Sequence, residues 1–156
     1  ACATLGRALP PALLAHFFKR AEACMGDFNT QDIANVVWAC ATLGEDPGDA
    51  LFLCLCEQAA ARVADFNPQC RSSFFWGCAK LGRRMPDAVY GRMCDWAAES
   101  IRDFSSQGVV NVLWACATAA RPVPDLLFLR ICGQVGVCME EFKPQDVSNF
   151  LWACAT

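Results

Sequence analysis

Twelve cysteines in 156 residues are the first side chains to read for chemistry. In a short secreted chain such a density marks a disulfide framework, and paired Cys-x-x-Cys motifs with histidines mark zinc. Here no Cys-x-x-Cys pair occurs, the only close pair is Cys54 and Cys56, and His16 is the sole histidine. No metal site is therefore expected. His16 has no serine or cysteine that the sequence places beside it, and the residues at its phase of the repeat described below are Cys54, Arg92 and Arg130. A position so permissive is expected to be exposed. Glycine-rich phosphate cradles are absent, and the recurring acids Asp65 and Asp103 fall where turn chemistry explains them. Without a nucleophile, base and orienter, the chain is expected not to be an enzyme and to need no cofactor.

The cysteines make sense once their spacing is read. Cys2, Cys40, Cys78, Cys116 and Cys154 recur every 38 residues, and so do Trp38, Trp76, Trp114 and Trp152, Phe28, Phe66, Phe104 and Phe142, and Gln31, Gln69, Gln107 and Gln145. A fixed period in this range is the mark of a stacked repeat array. Cys56, Cys94 and Cys132 form a second row, with Phe18 at its head. Equivalent positions of neighbouring helical repeats stand roughly 10 Å apart, whereas a disulfide needs Cα atoms within about 7 Å. Same-phase cysteines are thus expected to be unlinked core hydrophobes, and so many thiols imply a reducing compartment.

Each period carries two helical patterns. The first opens after Phe28, Phe66, Phe104 and Phe142, where Asn29, Asn67 and Ser105 can cap a first turn and Pro68 and Pro144 suit its first position. Lys143 breaks the cap pattern, and Arg71 stands where Ile33, Val109 and Val147 pair with the preceding Phe as a staple. Gly44 and Gly82 should end this helix. The second helix should start near Asp49, Asp87 and Asp125 and bury the stripes Leu51, Leu55, Ala59, Val63; Val89, Met93, Ala97, Ile101; and Leu127, Ile131, Val135, Met139. The fold class expected is all-α: an α-solenoid of 38-residue two-helix repeats, about four of them, forming one array over residues 1–156. The chain opens on ACATLG and closes on LWACAT, both in the phase of the first helix, as expected of a window from a longer protein.

Composition agrees with a folded chain: 55% of residues are hydrophobic and 19% charged, with a net charge of −3. No apolar run reaches membrane-spanning length, so no membrane contact is expected. The negative balance speaks against a broad basic field, while leaving room for a local basic ridge.

The 38-residue unit, with FNPQ at Phe66–Gln69 and WGCAKLG at Trp76–Gly82, resembles the octotricopeptide repeats of algal and protist organelle proteins and is similar to the helical arrays that precede RAP domains. The likeness covers essentially the whole chain at the Phe, Asn, Gln, Trp-Ala and Leu-Gly positions. It departs where Cys follows Trp-Ala and where Ala119 and Ala120 replace Leu-Gly. What the resemblance implies is a protein that binds single-stranded RNA in a mitochondrion or plastid and serves processing, stability or translation of transcripts, each repeat reading about one base; the chain is expected to be a monomer.

Candidate base-facing residues lie on the first helix of each repeat. Asn35, Ser73, Asn111 and Asn149 form one row, and Asp32, Cys70, Gly108 and Asp146 form another one turn earlier. Amides can pair base edges, yet a constant Asn cannot discriminate between bases and can equally form a hydrogen-bond ladder between repeats. The variable second row is the better source of specificity. The tryptophans are assigned to packing, given their constancy and the area each buries. For phosphates the candidates are Arg7, Arg83, Arg84 and Arg121, in or beside one phase of the inter-helix loop, interrupted by Glu45. The alternative function is a scaffold that takes a protein partner along the concave face of the solenoid. Basic charge on that face would favour RNA, and an acidic or apolar groove a protein.

Overall fold

The computed structural model describes residues 9–156, and these form eight α-helices and no strand. In chain order they are α1 (Pro11–Ala23), α2 (Thr30–Leu43), α3 (Asp49–Ala61), α4 (Pro68–Lys80), α5 (Asp87–Glu99), α6 (Ser106–Thr118), α7 (Asp125–Cys138) and α8 (Pro144–Ala155). A single 3-10 turn closes each of α1, α3, α5 and α7 before the next Phe. Arg7 and Cys2 lie outside the described residues.

The even-numbered helices start as their caps dictate. Asn29 Oδ1 accepts from the Asp32 N–H at 2.9 Å, Asn67 Oδ1 from the Cys70 N–H at 2.8 Å, and Ser105 Oγ from the Gly108 N–H at 3.2 Å. Lys143 has no side-chain acceptor to offer. At α8 the Asp146 carboxylate reaches back instead and accepts the Lys143 N–H at 3.0 Å. These helices end alike: the amides of Glu45, Arg83 and Arg121 each donate to a cysteine carbonyl, those of Cys40, Cys78 and Cys116, at 3.0 Å. That closure needs a left-handed residue, supplied by Gly44 (φ 72°) and Gly82 (φ 66°). In the third repeat Ala120 takes the same role at φ 49°, although its Cβ makes the conformation costly.

Helices α3, α5 and α7 begin at Asp49, Asp87 and Asp125, where a carboxylate meets the positive end of the helix. Their expected stripes are buried throughout, with Met139 the one exposed member. Packing follows the period. Helix α2 lies against α4, α4 against α6 and α6 against α8, while α1 lies against α3, α3 against α5 and α5 against α7. The rows are joined where α2 meets α3 and α6 meets α7. This arrangement is compatible with stacked two-helix repeats. In the first row α4 comes close to α2 at Gly77, where an added Cβ would stand 2.7 Å from Val37 Cγ1 and 3.3 Å from the Val37 backbone. Ala39, Ala115 and Ala153 hold the same phase.

The eleven described cysteines are all free thiols, and Cys40, Cys56, Cys70, Cys78, Cys94, Cys116 and Cys138 are buried. Cys132 and Cys154 depart from the expected core role and are exposed, because no described helix follows α7 and α8 in either row. The two rows also meet, which spacing within one row did not reveal. The Cys78 thiol stands next to Cys56, and that of Cys94 next to Cys116. Burial pushes Cys40 up to about 11 and Cys78 well above the usual thiol range, so these sulfurs are inert filler.

Arg71 is the largest departure from the repeat. It is buried, its guanidinium donates to the Phe66 carbonyl at 2.6 Å, the Val63 carbonyl at 3.3 Å and the Ser100 hydroxyl, and it lies over the rings of Trp96 and Phe104 at 5.8 and 5.6 Å. Burial lowers its pKa to about 10. Its Nε and the Trp96 indole N–H are buried without a partner.

Candidate nucleic-acid interface

An open groove of about 980 Å³ crosses the first-row helices. Trp38 of α2 contributes to one end, Lys143, Gln145, Asp146 and Asn149 of the α8 segment to the other, and the N-terminal halves of α4 and α6 lie between. Three helix N-termini therefore open into it, at Asn67, Ser105 and Lys143.

Of the first candidate row, Ser73, Asn111 and Asn149 line the groove, while Asn35 is exposed on α2 outside it. No side-chain hydrogen bond joins Asn111 or Asn149 to another described residue, and both are partly exposed in the groove. The inter-repeat ladder is thus not built at these positions, and their amides face the open space with donors and acceptors unspent.

The second row is engaged in its own helix starts. The Asp32 carboxylate accepts the Asn29 N–H at 3.0 Å and the Asp146 carboxylate that of Lys143 at 3.0 Å. Cys70 is buried, and Gly108 is so enclosed that an added Cβ would stand 3.3 Å from both Phe104 Cδ1 and Ser105 Oγ. Gly108 and Asp146 border the groove; Asp32 and Cys70 do not. Capping explains the acids at this phase, because the third helical residue is the one that reaches back to the cap.

The arginine loop stands elsewhere. Arg83 and Arg121 follow the C-termini of α4 and α6 and lie outside the groove lining. Each clamps the loop of the preceding repeat. Arg83 pairs with Asp46 at 3.1 Å and Asp49 at 2.7 Å over the Phe52 ring; Arg121 pairs with Asp87 at 2.8 Å, donates to the Met85 carbonyl at 2.6 Å and lies 3.8 Å from the Tyr90 ring centroid. Their side chains are only 20% and 7% exposed. Burial works against the Arg83 charge, and Asp49 and Asp46 more than offset it, so its pKa is raised. Expected as phosphate contacts, these two arginines stitch neighbouring repeats together. Arg84 is exposed and pairs with Asp87 at 3.3 Å.

One row escaped the sequence reading, and the tryptophans assigned to packing are also part of the wall. Gln69, Gln107 and Gln145 are exposed and line the groove, though their recurrence had served only to set the period. Trp38 and Trp76 line it too. Trp38, Trp76 and Trp114 are half-buried, Trp152 is 48% exposed, and the Trp114 and Trp152 rings lie 6.5 Å apart at 36°. Packing accounts for only part of each indole. The groove's charged lining is Asp103, Asp146 and Lys143, so it is polar rather than basic.

No protein-family model matches this chain, and no curated protein matches it either. No described helix is long and apolar enough to cross a membrane.

Proposed function

We propose that the chain is an α-solenoid of 38-residue repeats that binds single-stranded RNA along this groove and serves RNA processing, stability or translation in a mitochondrion or plastid. The observation that carries the reading is the row of unpaired amides at repeat spacing, Asn111 and Asn149 beside Gln69, Gln107 and Gln145, in a groove bordered by the half-open indoles of Trp38 and Trp76. Amides pair base edges and indoles stack on base faces. The three helix N-termini favour anionic groups at the same wall. The organelle and the class of target follow from the resemblance to octotricopeptide repeats alone.

The test is fluorescence anisotropy with a pool of short single-stranded RNAs. Asn111→Ala with Asn149→Ala should weaken binding by at least tenfold, since each good amide–base pair is worth about 1–3 kcal/mol. Arg83→Gln should leave affinity unchanged, because Arg83 is spent on Asp46 and Asp49. With Lys143 as the groove's ammonium, the salt dependence should be shallow. Tight, steeply salt-dependent binding that Arg83→Gln abolishes would refute this reading. A second reading is favoured by the two carboxylates against one ammonium in the groove: a scaffold for a basic protein segment. Binding of a lysine-rich peptide, with no binding of any RNA in the pool, would select it.

A further inference from the structure

We infer that the groove reads RNA unevenly: it selects adenine at the positions served by Asn111 and Asn149 and takes any base at the neighbouring position served by Ser73. This rests on the RNA reading of the groove and adds a base preference to it. Ser73, Asn111 and Asn149 hold one phase of α4, α6 and α8, and all three line the groove half-buried. None of them makes a side-chain hydrogen bond to another described residue. Helix α4 packs on α6 and α6 on α8, and packed helices stand about 8–10 Å apart, so each member of the row serves a different base.

A constant amide cannot tell one position from the next, but it favours the same base wherever it stands. It presents one acceptor and its donors in a fixed plane. Adenine offers the complement, an amino N–H beside a ring nitrogen, on both its Watson–Crick and its Hoogsteen edge, and bidentate pairing with adenine is the usual base contact of Asn. On those two edges the other three bases offer an adjacent donor and acceptor once only. A serine hydroxyl rotates, donates or accepts, and bonds to any base. Within the groove the row changes from amide to hydroxyl at Ser73. Gln69, Gln107 and Gln145 are identical in the three repeats and cannot create a difference between positions; they stand at the second residue of each helix, beside the N-terminal amides that favour phosphate. The indoles of Trp38 and Trp76 stack on every base alike.

Selection from single-stranded RNA with a randomised core, retained on the immobilised chain and sequenced, tests this. Two neighbouring adenines should be enriched about fivefold or more over the other bases, with all four bases recovered alike at the position flanking them on one side. Ser73→Asn should extend the enrichment to a third neighbouring adenine, and Asn111→Ser should erase it at one of the two positions, each variant keeping the helical circular dichroism of the parent. Retained RNA with a flat profile overturns the adenine assignment alone, as does enrichment of another base or a profile that neither substitution moves. Retention of no RNA overturns it together with the RNA reading of the groove.

Discussion

Leu113 and Leu151 offer a direct test of repeat equivalence, since they hold the same phase one period apart with opposite burial. Leu113 is 1% exposed in α6, a helix that packs against α7 and α8, so Leu113→Ala removes a fully buried side chain and leaves a cavity. The expected loss is about 2–5 kcal/mol. Leu151 is 62% exposed. Scaling the ~1.5–3 kcal/mol for a fully buried leucine by the burial that remains leaves about 1 kcal/mol at most for Leu151→Ala, with no cavity, because the site opens to water. Urea unfolding followed by circular dichroism on dilute protein gives both values from midpoint and slope. Equal losses, or the larger loss at Leu151, would refute the claim that each seam is sealed by the following helices.

Arg71→Ile should be neutral or stabilising, because Ile33 and Val109 fill that phase in neighbouring repeats and the buried guanidinium keeps an unpaired Nε; Arg71→Ala, which leaves a cavity, should cost about 2–5 kcal/mol, and a larger loss for Ile than for Ala in urea melts would contradict this. Ala120→Gly should stabilise by about 0.5–1 kcal/mol by relieving the left-handed alanine; a lowered melting temperature would count against the strain. Stability should fall as pH rises from 9 towards 11: Cys40 ionises in the unfolded chain near 9 and in the folded chain near about 11, so its contribution is present below pH 9 and lost through that window. Cys78 and Tyr90, raised by burial, and Cys94, raised by the Cys116 thiol beside it, act in the same direction, while the depressed pKa of Arg71, about 10, opposes them at the alkaline end. A melting temperature flat to pH 11 would show that these thiols are not held out of water.

Both helix rows, their caps and the glycine closures were legible in the sequence because each depends on residues a few positions apart. Asn29, Asn67 and Ser105 cap as their types require, and Gly44 and Gly82 take the left-handed turn that their positions require. Relations between repeats were not legible in this way. The pairing of Cys56 with Cys78 depends on how one row packs across the other. Arg83 and Arg121 looked like a free basic ridge because the acids that hold them, Asp49 and Asp87, are also the first residues of the second helices. Their role at the helix start accounted for them before the inter-repeat contact was visible. The glutamine row was hidden by its constancy, which set the period and drew attention away from the open groove it borders.

Photocrosslinking maps the groove reading most directly. Single-stranded RNA carrying thiouridine, irradiated with the chain and followed by mass spectrometry of its peptides, should label the segments bearing Trp38, Trp76 and Asn111, with competition by unlabelled RNA. Crosslinks confined to the loops that hold Arg83 and Arg121, or none that unlabelled RNA competes away, would contradict an RNA path along the first-row helices.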